Sequence, residues 1–266
     1  MHSQFLNSLY IFGQFFRRDM YVYGKQLNRF IINYVLIYPI IYAICFAFLQ
    51  AKNYFGENAK EMGTLSYAGV ILLVIASTAY RSTFDTFFDL IEHQHISFCI
   101  TRLNPRLILL QRLLFASILT FCLTAPFYLI SRVLVGHIFD MSHIHWPSLL
   151  SVLALGCMCC VSYHMLAAVT LKYVEQIGTF WFRVNFVLLV FGGTWIPHYV
   201  ICSVFPAVGY LTFLNPITYV TEGLRQSIIG GSRFLPISTC LIALTLFSVV
   251  LVGFSFHALR NRIDHI

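Results

Sequence analysis

The feature that most constrains this chain is a set of long intervals without a charged side chain. The longest runs from Val184 to Thr221 and contains 38 residues. A bilayer core about 30 Å thick requires roughly 20 apolar residues of helix, because backbone polar groups in lipid must be satisfied within the segment. Intervals of this length predict an all-α, polytopic integral membrane protein.

The overall composition leads to the same class of protein. Hydrophobic residues make up 59% of the chain and charged residues 10%, against roughly 45–50% and 25% in soluble proteins. A globule with so little charge could not keep its surface hydrated, which excludes a soluble cytoplasmic enzyme. The 26 Phe and 15 Tyr exclude a disordered chain, because disordered segments are poor in aromatic residues.

The uncharged intervals predict six transmembrane helices. The interval 184–221 is too long for one span and barely long enough for two, and six Gly and Pro residues interrupt it. One span followed by a re-entrant hairpin fits better, since broken helices are tolerated where protein or a water-filled cavity covers the backbone. We predict spans at 30–50, 62–80, 113–131, 149–170, 184–204 and 234–259, with an outer re-entrant hairpin over 206–232.

The distribution of positive charge predicts the orientation of these spans. With both termini in the cytoplasm, 12 of the 17 Lys and Arg residues fall on inner segments, as the positive-inside rule requires. Much of the formal charge of +7 is therefore a topology signal. Nucleic-acid binding needs a concentrated basic face, so we expect a lipid membrane and no nucleic acid among the partners.

Residues 1–29, which precede the first predicted span, have an amphipathic pattern. Their apolar residues recur at spacings of three and four, as on one face of a helix, and basic residues beside them can reach anionic headgroups. We interpret this segment as an interfacial entry helix rather than a polar tail with scattered aromatic residues. The residues of the apolar face are Phe5, Leu9, Phe12, Phe16 and Met20.

The longest predicted cytoplasmic segment is 81–112. Its first half carries an apolar stripe that includes Phe84, Phe88 and Ile91, with acidic residues beside it. Asn104-Pro105 then marks a break before the chain re-enters the membrane. Two interpretations stay open, a helix that docks a soluble partner and a loop that simply continues the second helix.

Several kinds of chemistry have no sequence signature in this chain. There is no phosphate-binding loop, no H-E-x-x-H helix and no G-x-S-x-G elbow, so we expect no catalytic residues. Every Asp and Glu lies at a predicted boundary or loop, which argues against an ion-coupled secondary carrier.

A membrane redox or metal-binding subunit is the alternative function, although a complete metal ligand set is not evident and we expect no metal site. Its candidate ligands are His137, His143, His145, His164, Cys157, Cys159 and Cys160.

Four motifs, in order along nearly the whole chain, resemble one family. Phe15-Phe16-Arg17-Arg18-Asp19 precedes the first span, Tyr38-Pro39 lies within it, and Thr101-Arg-Leu-Asn-Pro105 lies in the cytoplasmic segment. The most specific motif is Asn215-Pro-Ile-Thr-Tyr followed by Glu222 and Arg225. Together they resemble the membrane subunit of a type-2 ATP-binding-cassette (ABC) exporter.

The resemblance implies a permease that works as a dimer with two separate ATPase subunits, which bind ATP and Mg, so the chain itself needs no cofactor. It also implies a bacterial cytoplasmic membrane and a cargo that is an amphipathic small molecule or drug, a lipid or a polysaccharide. The resemblance assigns coupling to the ATPase to Ile91, Glu92, His93, Arg102, Asn104 and Pro105. It assigns the re-entrant hairpin and the exit of the pathway to Asn215, Pro216, Thr218, Tyr219, Glu222 and Arg225.

Two details bear on these implied roles. Glu92 is followed by His93, where the family often has Arg and then Gly-Thr, so the coupling contacts follow from position rather than from a motif. Glu222 and Arg225, three residues apart, can pair on one helical face. The alternative is an exposed surface pair, which would contribute at most about 1 kcal/mol.

Overall fold

The computed structural model describes residues 2–37, 40–41, 45, 59–91, 104–127, 129–130 and 144–263. Within these ranges every regular element is helical. Two π-helical segments, Ile31–Leu36 and Trp181–Asn185, continue α1 and join α5 to α6. The α-helices are α1 His2–Phe30, α2 Ala59–Ile91, α3 Pro105–Thr124, α4 Trp146–Thr170, α5 Glu175–Phe180, α6 Phe186–Phe191, α7 His198–Val204, α8 Pro206–Thr212, α9 Pro216–Ile228 and α10 Ile237–Ile263.

Four helices in the described residues are long and apolar enough to cross a membrane. They are Leu65–Ile91, Pro105–Thr124, Trp146–Thr170 and Ile237–Arg262, and they overlap the second, third, fourth and sixth predicted spans. The predicted first span, 30–50, is described only in part, over 30–37, 40–41 and 45. The all-helical, multi-pass character of the chain is thereby confirmed.

The predicted fifth span, 184–204, is not one helix, and this prediction needs correction. α6 ends at Phe191, Gly193 adopts a φ of +82°, and α7 starts only after Pro197. A left-handed φ favours glycine and proline lacks an amide hydrogen, so these residues end the helix. The helical stretch instead begins at Glu175 and runs over 175–191, about 25 Å at 1.5 Å per residue.

The segment that follows consists of three short helices. α7 and α8 pack against each other so closely that a Cβ on Gly209 would lie 2.4 Å from the Cys202 sulfur. α9 then begins at Pro216. The irregular segment therefore spans 198–228 and starts before the predicted hairpin boundary at 206.

α4 forms the centre of the described bundle and packs against α2, α3, α9 and α10. Small residues allow α9 to approach it closely. A Cβ on Gly223 would lie 2.8 Å from a methyl carbon of Val152, and one on Gly156 would lie 3.0 Å from Val220. Helix α9 is consequently buried although it is only 13 residues long.

α2 is the longest helix of the described residues, with 33 residues. Its length is about 50 Å, whereas a hydrocarbon core measures about 30 Å. One end must therefore extend beyond the membrane. This supports the interpretation in which the segment after residue 80 begins as a continuation of the second helix, at least as far as Ile91.

Candidate functional site

α9 carries a fully buried ion pair. The Arg225 Nη1 donates to Glu222 Oε1 at 3.0 Å, and both residues have a relative exposure of 0%. The interpretation of Glu222 and Arg225 as an exposed surface pair is therefore wrong. A buried pair has a large desolvation cost and needs further hydrogen bonds to be tolerated.

The Arg225 guanidinium obtains those further hydrogen bonds from two other parts of the chain. Its Nε donates to the Leu65 carbonyl of α2 at 3.2 Å, and its Nη2 donates to the Gly193 carbonyl. Glu222 Oε1 also accepts from the backbone amide of His198 at 3.1 Å. One ion pair thus joins α9, α2 and the break that separates α6 from α7.

The start of α9 is fastened to the end of α6. Asn215 Oδ1 accepts from the Ile217 amide at 3.1 Å, an N-cap that satisfies a free helical donor. The Asn215 side-chain amide donates to the Leu188 carbonyl at 2.7 Å. Thr221 Oγ1 donates to the Gly192 carbonyl at 2.6 Å. We call Asn215, Thr221, Glu222 and Arg225 the Arg225 cluster.

The other residues of this motif hold the turn between α8 and α9. Thr218 Oγ1 donates to the Thr212 carbonyl and Tyr219 Oη donates to the Phe213 carbonyl, each at 2.9 Å. Pro216 occupies the first position of α9, where a missing amide hydrogen costs nothing. The structure therefore brings all six predicted hairpin residues together around the broken segment.

α2 touches this segment through backbone as well. A Cβ on Gly69 would lie 1.9 Å from the Thr194 carbonyl oxygen, so only glycine fits at this position. The sequence analysis did not single out Leu65, Gly69 or Thr194. A glycine within the second predicted span was the one signal that could have indicated a close approach of two backbones.

The predicted coupling residues are only partly described. Ile91 is the last residue of α2, and Pro105 is the first residue of α3. Asn104 caps α3, because its side-chain oxygen accepts from the Arg106 amide at 3.0 Å. Glu92, His93 and Arg102 lie outside the described residues.

The last turns of α2 meet α1 and α3 through a polar network. Tyr23 of α1 donates to Asp85, and Arg112 of α3 pairs with Asp89. The Gln111 amide donates to Asp19 at 2.9 Å. Burial, and next the Asp85 charge, raise the pKa of Tyr23, so its hydroxyl stays a donor.

This network surrounds a cavity of about 460 Å³. Along α1 the face towards the bundle includes Phe16, whose ring lies 5.4 Å from that of Phe115, and the buried Asp19. Met20, which the sequence analysis placed on the apolar face, is 59% exposed. The polar network therefore links the end of α2 to both helices beside it.

A comparison with protein families identifies this arrangement. The chain matches the family model described as ABC-2 type transporter over residues 14–229. The chain belongs to this family. Comparisons with curated proteins and with solved structures give no match.

The match assigns the chain to the membrane component of an ABC transporter and implies a partnership with an ABC ATPase. It extends from α1 to the end of α9. Both the Arg225 cluster and the α1–α2–α3 network of this ABC-2 permease therefore lie within the matched region.

The alternative function depends on histidine and cysteine ligands. His137 and His143 lie outside the described residues, while His145 caps α4 by accepting from the Ser148 amide at 3.4 Å. Across the ranges that the structure describes, no three His, Cys, Asp or Glu residues are grouped to hold a metal ion. His164 is fully buried in α4, with its Nδ1 2.8 Å from the Cys160 carbonyl oxygen.

Proposed function

We propose that this ABC-2 permease is the transmembrane subunit of an ATP-driven exporter. It forms the translocation pathway with a second copy and is energised by a separate ATPase subunit that binds ATP and Mg. The observation that carries the proposal is the double attachment of α2. One part of this helix is bound to the broken segment at residues 192–197, and its last turns lead into the coupling segment.

α2 can transmit a displacement mechanically. α2 is one unbroken helix from Ala59 to Ile91, so a displacement of its last turns moves the remainder with it. Near the other end, the Leu65 carbonyl accepts a hydrogen bond from Arg225, and Gly69 lies closely against the Thr194 backbone. A push by the ATPase near Ile91, Glu92 and His93 would therefore reach the exit hairpin without any intermediate element.

The ends of α4 and α10 bear on the orientation of the chain in the membrane. α4 and α10 end side by side, because Arg262 Nη1 donates to the Leu171 carbonyl at 2.8 Å. Lys172, Arg260 and Arg262 are thus concentrated at that end of the bundle. The positive-inside rule then favours cytoplasmic termini, and we propose a bacterial cytoplasmic membrane as the location.

The exposed surface of 175–214 bears on the second copy and on the cargo. Residues of 175–214 expose large apolar side chains, among them Phe182 at 71%, Tyr210 at 74% and Leu214 at 75%. Exposed apolar patches of this kind mark lipid-facing or partner-facing surfaces. We assign part of this surface to the second permease copy and propose an amphipathic small molecule or drug, a lipid or a polysaccharide as cargo.

Purification in mild detergent, with the genes that neighbour this one co-expressed, tests the proposal. We expect an ATPase subunit to co-purify and to show vanadate-sensitive hydrolysis. Ile91→Ala and Glu92→Ala should reduce the transport obtained per ATP while leaving insertion and dimer formation unchanged. A chain that neither dimerises nor retains a nucleotide-binding subunit would refute the proposal.

The orientation has its own test. Ser232→Cys, between α9 and α10, should react with a membrane-impermeant maleimide added outside intact cells. Lys172→Cys, just after α4, should react only after the membrane is permeabilised. Each variant is compared with the parent chain, whose native cysteines give the background, and the reverse pattern would overturn the topology.

A further inference from the structure

A second polar cavity, of about 240 Å³, lies between the end of α1, the π-helical segment after it and α2. Two arginines from different helices line it, Arg29 of α1 and Arg81 of α2. The side-chain amides of Gln26 and Asn33 border it, and the buried Phe30 forms part of its wall. None of the described residues that line the cavity is acidic. The cavity therefore combines two positive charges with amide donors.

α1 and α2 are in direct contact at the level of this cavity. Tyr23 Oη lies 3.3 Å from the carbonyl oxygen of Ser82, the residue after Arg81. The π-helical segment Ile31–Leu36, which continues α1, also packs against α2. These contacts bring Arg29 and Arg81 to one cavity instead of leaving them on separate surfaces.

The two arginines of this cavity have no counter-charge among the described residues. Neither guanidinium forms an ion pair or a side-chain hydrogen bond with a described residue, whereas three other arginines each pair with a carboxylate. Asp85, one turn after Arg81, accepts from Tyr23 and lines the neighbouring cavity of the α1–α2–α3 network. Two guanidinium groups at one cavity repel each other, and a bound anion would remove this repulsion.

Both arginines lie at a boundary of the membrane. Arg29 directly precedes the uncharged interval of the first predicted span, 30–50, and Arg81 directly follows that of the second, 62–80. Because consecutive spans cross the membrane in opposite directions, the start of the first and the end of the second lie at the same face. With cytoplasmic termini this is the inner face. The phosphates of phospholipids lie at this level, just outside the hydrocarbon core.

The size and chemistry of the cavity match the phosphate of a lipid headgroup. A guanidinium binds phosphate oxygens through two parallel N–H donors, and two arginines can hold one phosphate from two sides. At about 240 Å³ the cavity is smaller than the roughly 300–1,000 Å³ of sites for drug-sized molecules, so it suits a headgroup better than a whole cargo molecule. Basic pockets between transmembrane helices on the cytoplasmic side are a recognised type of headgroup site.

We propose that Arg29 and Arg81 bind the phosphate of an anionic phospholipid in the inner leaflet. The phosphate bridges the end of α1 to α2, and its negative charge removes the repulsion between the two guanidinium groups. The amides of Gln26 and Asn33 donate to the remaining headgroup oxygens. This inference rests on the proposed function for the choice of leaflet alone, because the orientation of the chain decides which leaflet the cavity faces.

Titration of the full chain in mild detergent with phosphatidylglycerol, followed by native mass spectrometry, tests the site. The double variant Arg29→Gln/Arg81→Gln should bind this lipid about 25-fold more weakly, at about fivefold for each arginine beside an anionic headgroup. The matched double variant Arg106→Gln/Lys172→Gln removes two exposed charges from other parts of the chain and should bind within about twofold of wild type. Equal weakening in both double variants would reflect net charge alone and would overturn the site.

The same titration identifies the source of the phosphate. Inorganic phosphate in large excess should not displace phosphatidylglycerol, and displacement would indicate a site for a soluble phosphate and overturn the lipid assignment. Phosphatidylethanolamine carries an ammonium group that two guanidinium groups disfavour, so it should bind at least about fivefold more weakly. Equal binding of the two lipids would overturn the preference for an anionic headgroup.

Failure of this site and failure of the proposed function can be told apart. Lipid binding is measured on the permease chain alone and needs neither ATP nor an ATPase subunit. If the arginine double variant binds phosphatidylglycerol as wild type does, the site is refuted and the permease assignment stands. If the maleimide labelling shows the reverse orientation, the assignment to the inner leaflet is overturned, whatever the lipid titration gives.

Discussion

Two buried polar clusters pack against opposite ends of α4, and they differ in how completely they are satisfied. The Arg225 cluster lies towards the start of α4, where the His145 amide donates to the Ser227 carbonyl at 2.9 Å. Each of its four side chains hydrogen-bonds to another element or to the break beside α6, and Glu222 Oε2 is its one atom without a partner among the described residues. Towards the end of α4 stand the buried polar atoms of Tyr163, His164 and Asn185, which we call the His164 cluster. The Tyr163 hydroxyl, His164 Nε2 and both amide atoms of Asn185 have no partner in hydrogen-bond geometry among the described residues.

This difference separates two uses of polarity inside a membrane bundle. In the Arg225 cluster, charge is buried but paired, and its hydrogen bonds fix backbone that regular helix does not satisfy. The cluster therefore holds one arrangement. In the His164 cluster, buried donors and acceptors without a partner among the described residues are a cost in this conformation. The first cluster fastens α2 to the hairpin.

The largest effect is expected from breaking the ion pair. Arg225→Met leaves Glu222 buried without a counter-charge, which typically costs about 3–5 kcal/mol, so the thermal midpoint in detergent should fall sharply. Replacing both residues, Arg225→Met with Glu222→Leu, should recover part of the loss because no charge remains buried. Arg106→Met, at an exposed position of α3, is the matched control and should change little. A wild-type midpoint for Arg225→Met would contradict the fastening role.

A smaller loss of thermal stability is expected where α2 packs against the break between α6 and α7. Gly69→Ala would place a Cβ 1.9 Å from the Thr194 oxygen, so α2 and this turn must separate. Overpacking of this kind costs about 1–3 kcal/mol. Gly253→Ala in α10, where a Cβ has nothing within 4 Å, serves as the matched control in the same thermal unfolding measurement. Equal midpoints for the two variants would show that the close approach does not bind α2 to the hairpin.

The next largest loss of thermal stability is expected at Asn215, which both caps α9 and bonds to the end of α6. Asn215→Ala removes the cap of α9 and the bond to Leu188, and each is worth about 1 kcal/mol. Asn215→Ser keeps a capping oxygen but is too short to reach the Leu188 carbonyl. The serine variant should therefore lie between alanine and wild type in thermal midpoint. If serine matches alanine, the cap contributes nothing and the bond to α6 accounts for the whole effect.

Much of the Arg225 cluster could be predicted from sequence, because its residues lie within one short motif. The family match over 14–229 confirms the resemblance that this motif carries. Its burial could not be predicted, since a spacing of three between Glu222 and Arg225 is the same on a buried face and an exposed one. The partners Leu65, Gly192 and Gly193 contribute backbone carbonyls, which have no residue signature.

The fifth predicted span shows a second limit of sequence reasoning. The search for uncharged intervals excluded Glu175 and Arg183 and so started this helix too late. It also carried the helix through Gly192 and Pro197, which the structure uses to end it. His164 was noticed in the sequence because it is titratable. Asn185 was not, because one amide barely changes the hydropathy of an apolar run and no sequence pattern marks a π turn.

The smallest predicted change is a gain in stability instead of a loss, and it tests the comparison between the two clusters most directly. Asn185→Leu removes two unsatisfied polar atoms from a buried site, so it should leave the thermal midpoint unchanged or raise stability by up to about 1 kcal/mol. Leu189→Asn, on the same face one turn later, is the matched reverse substitution and should cost about 1–3 kcal/mol, because it buries a new amide. A loss of stability in Asn185→Leu comparable to that in Leu189→Asn would mean that Asn185 is already satisfied. Asn185 would then hold one arrangement, as the Arg225 cluster does.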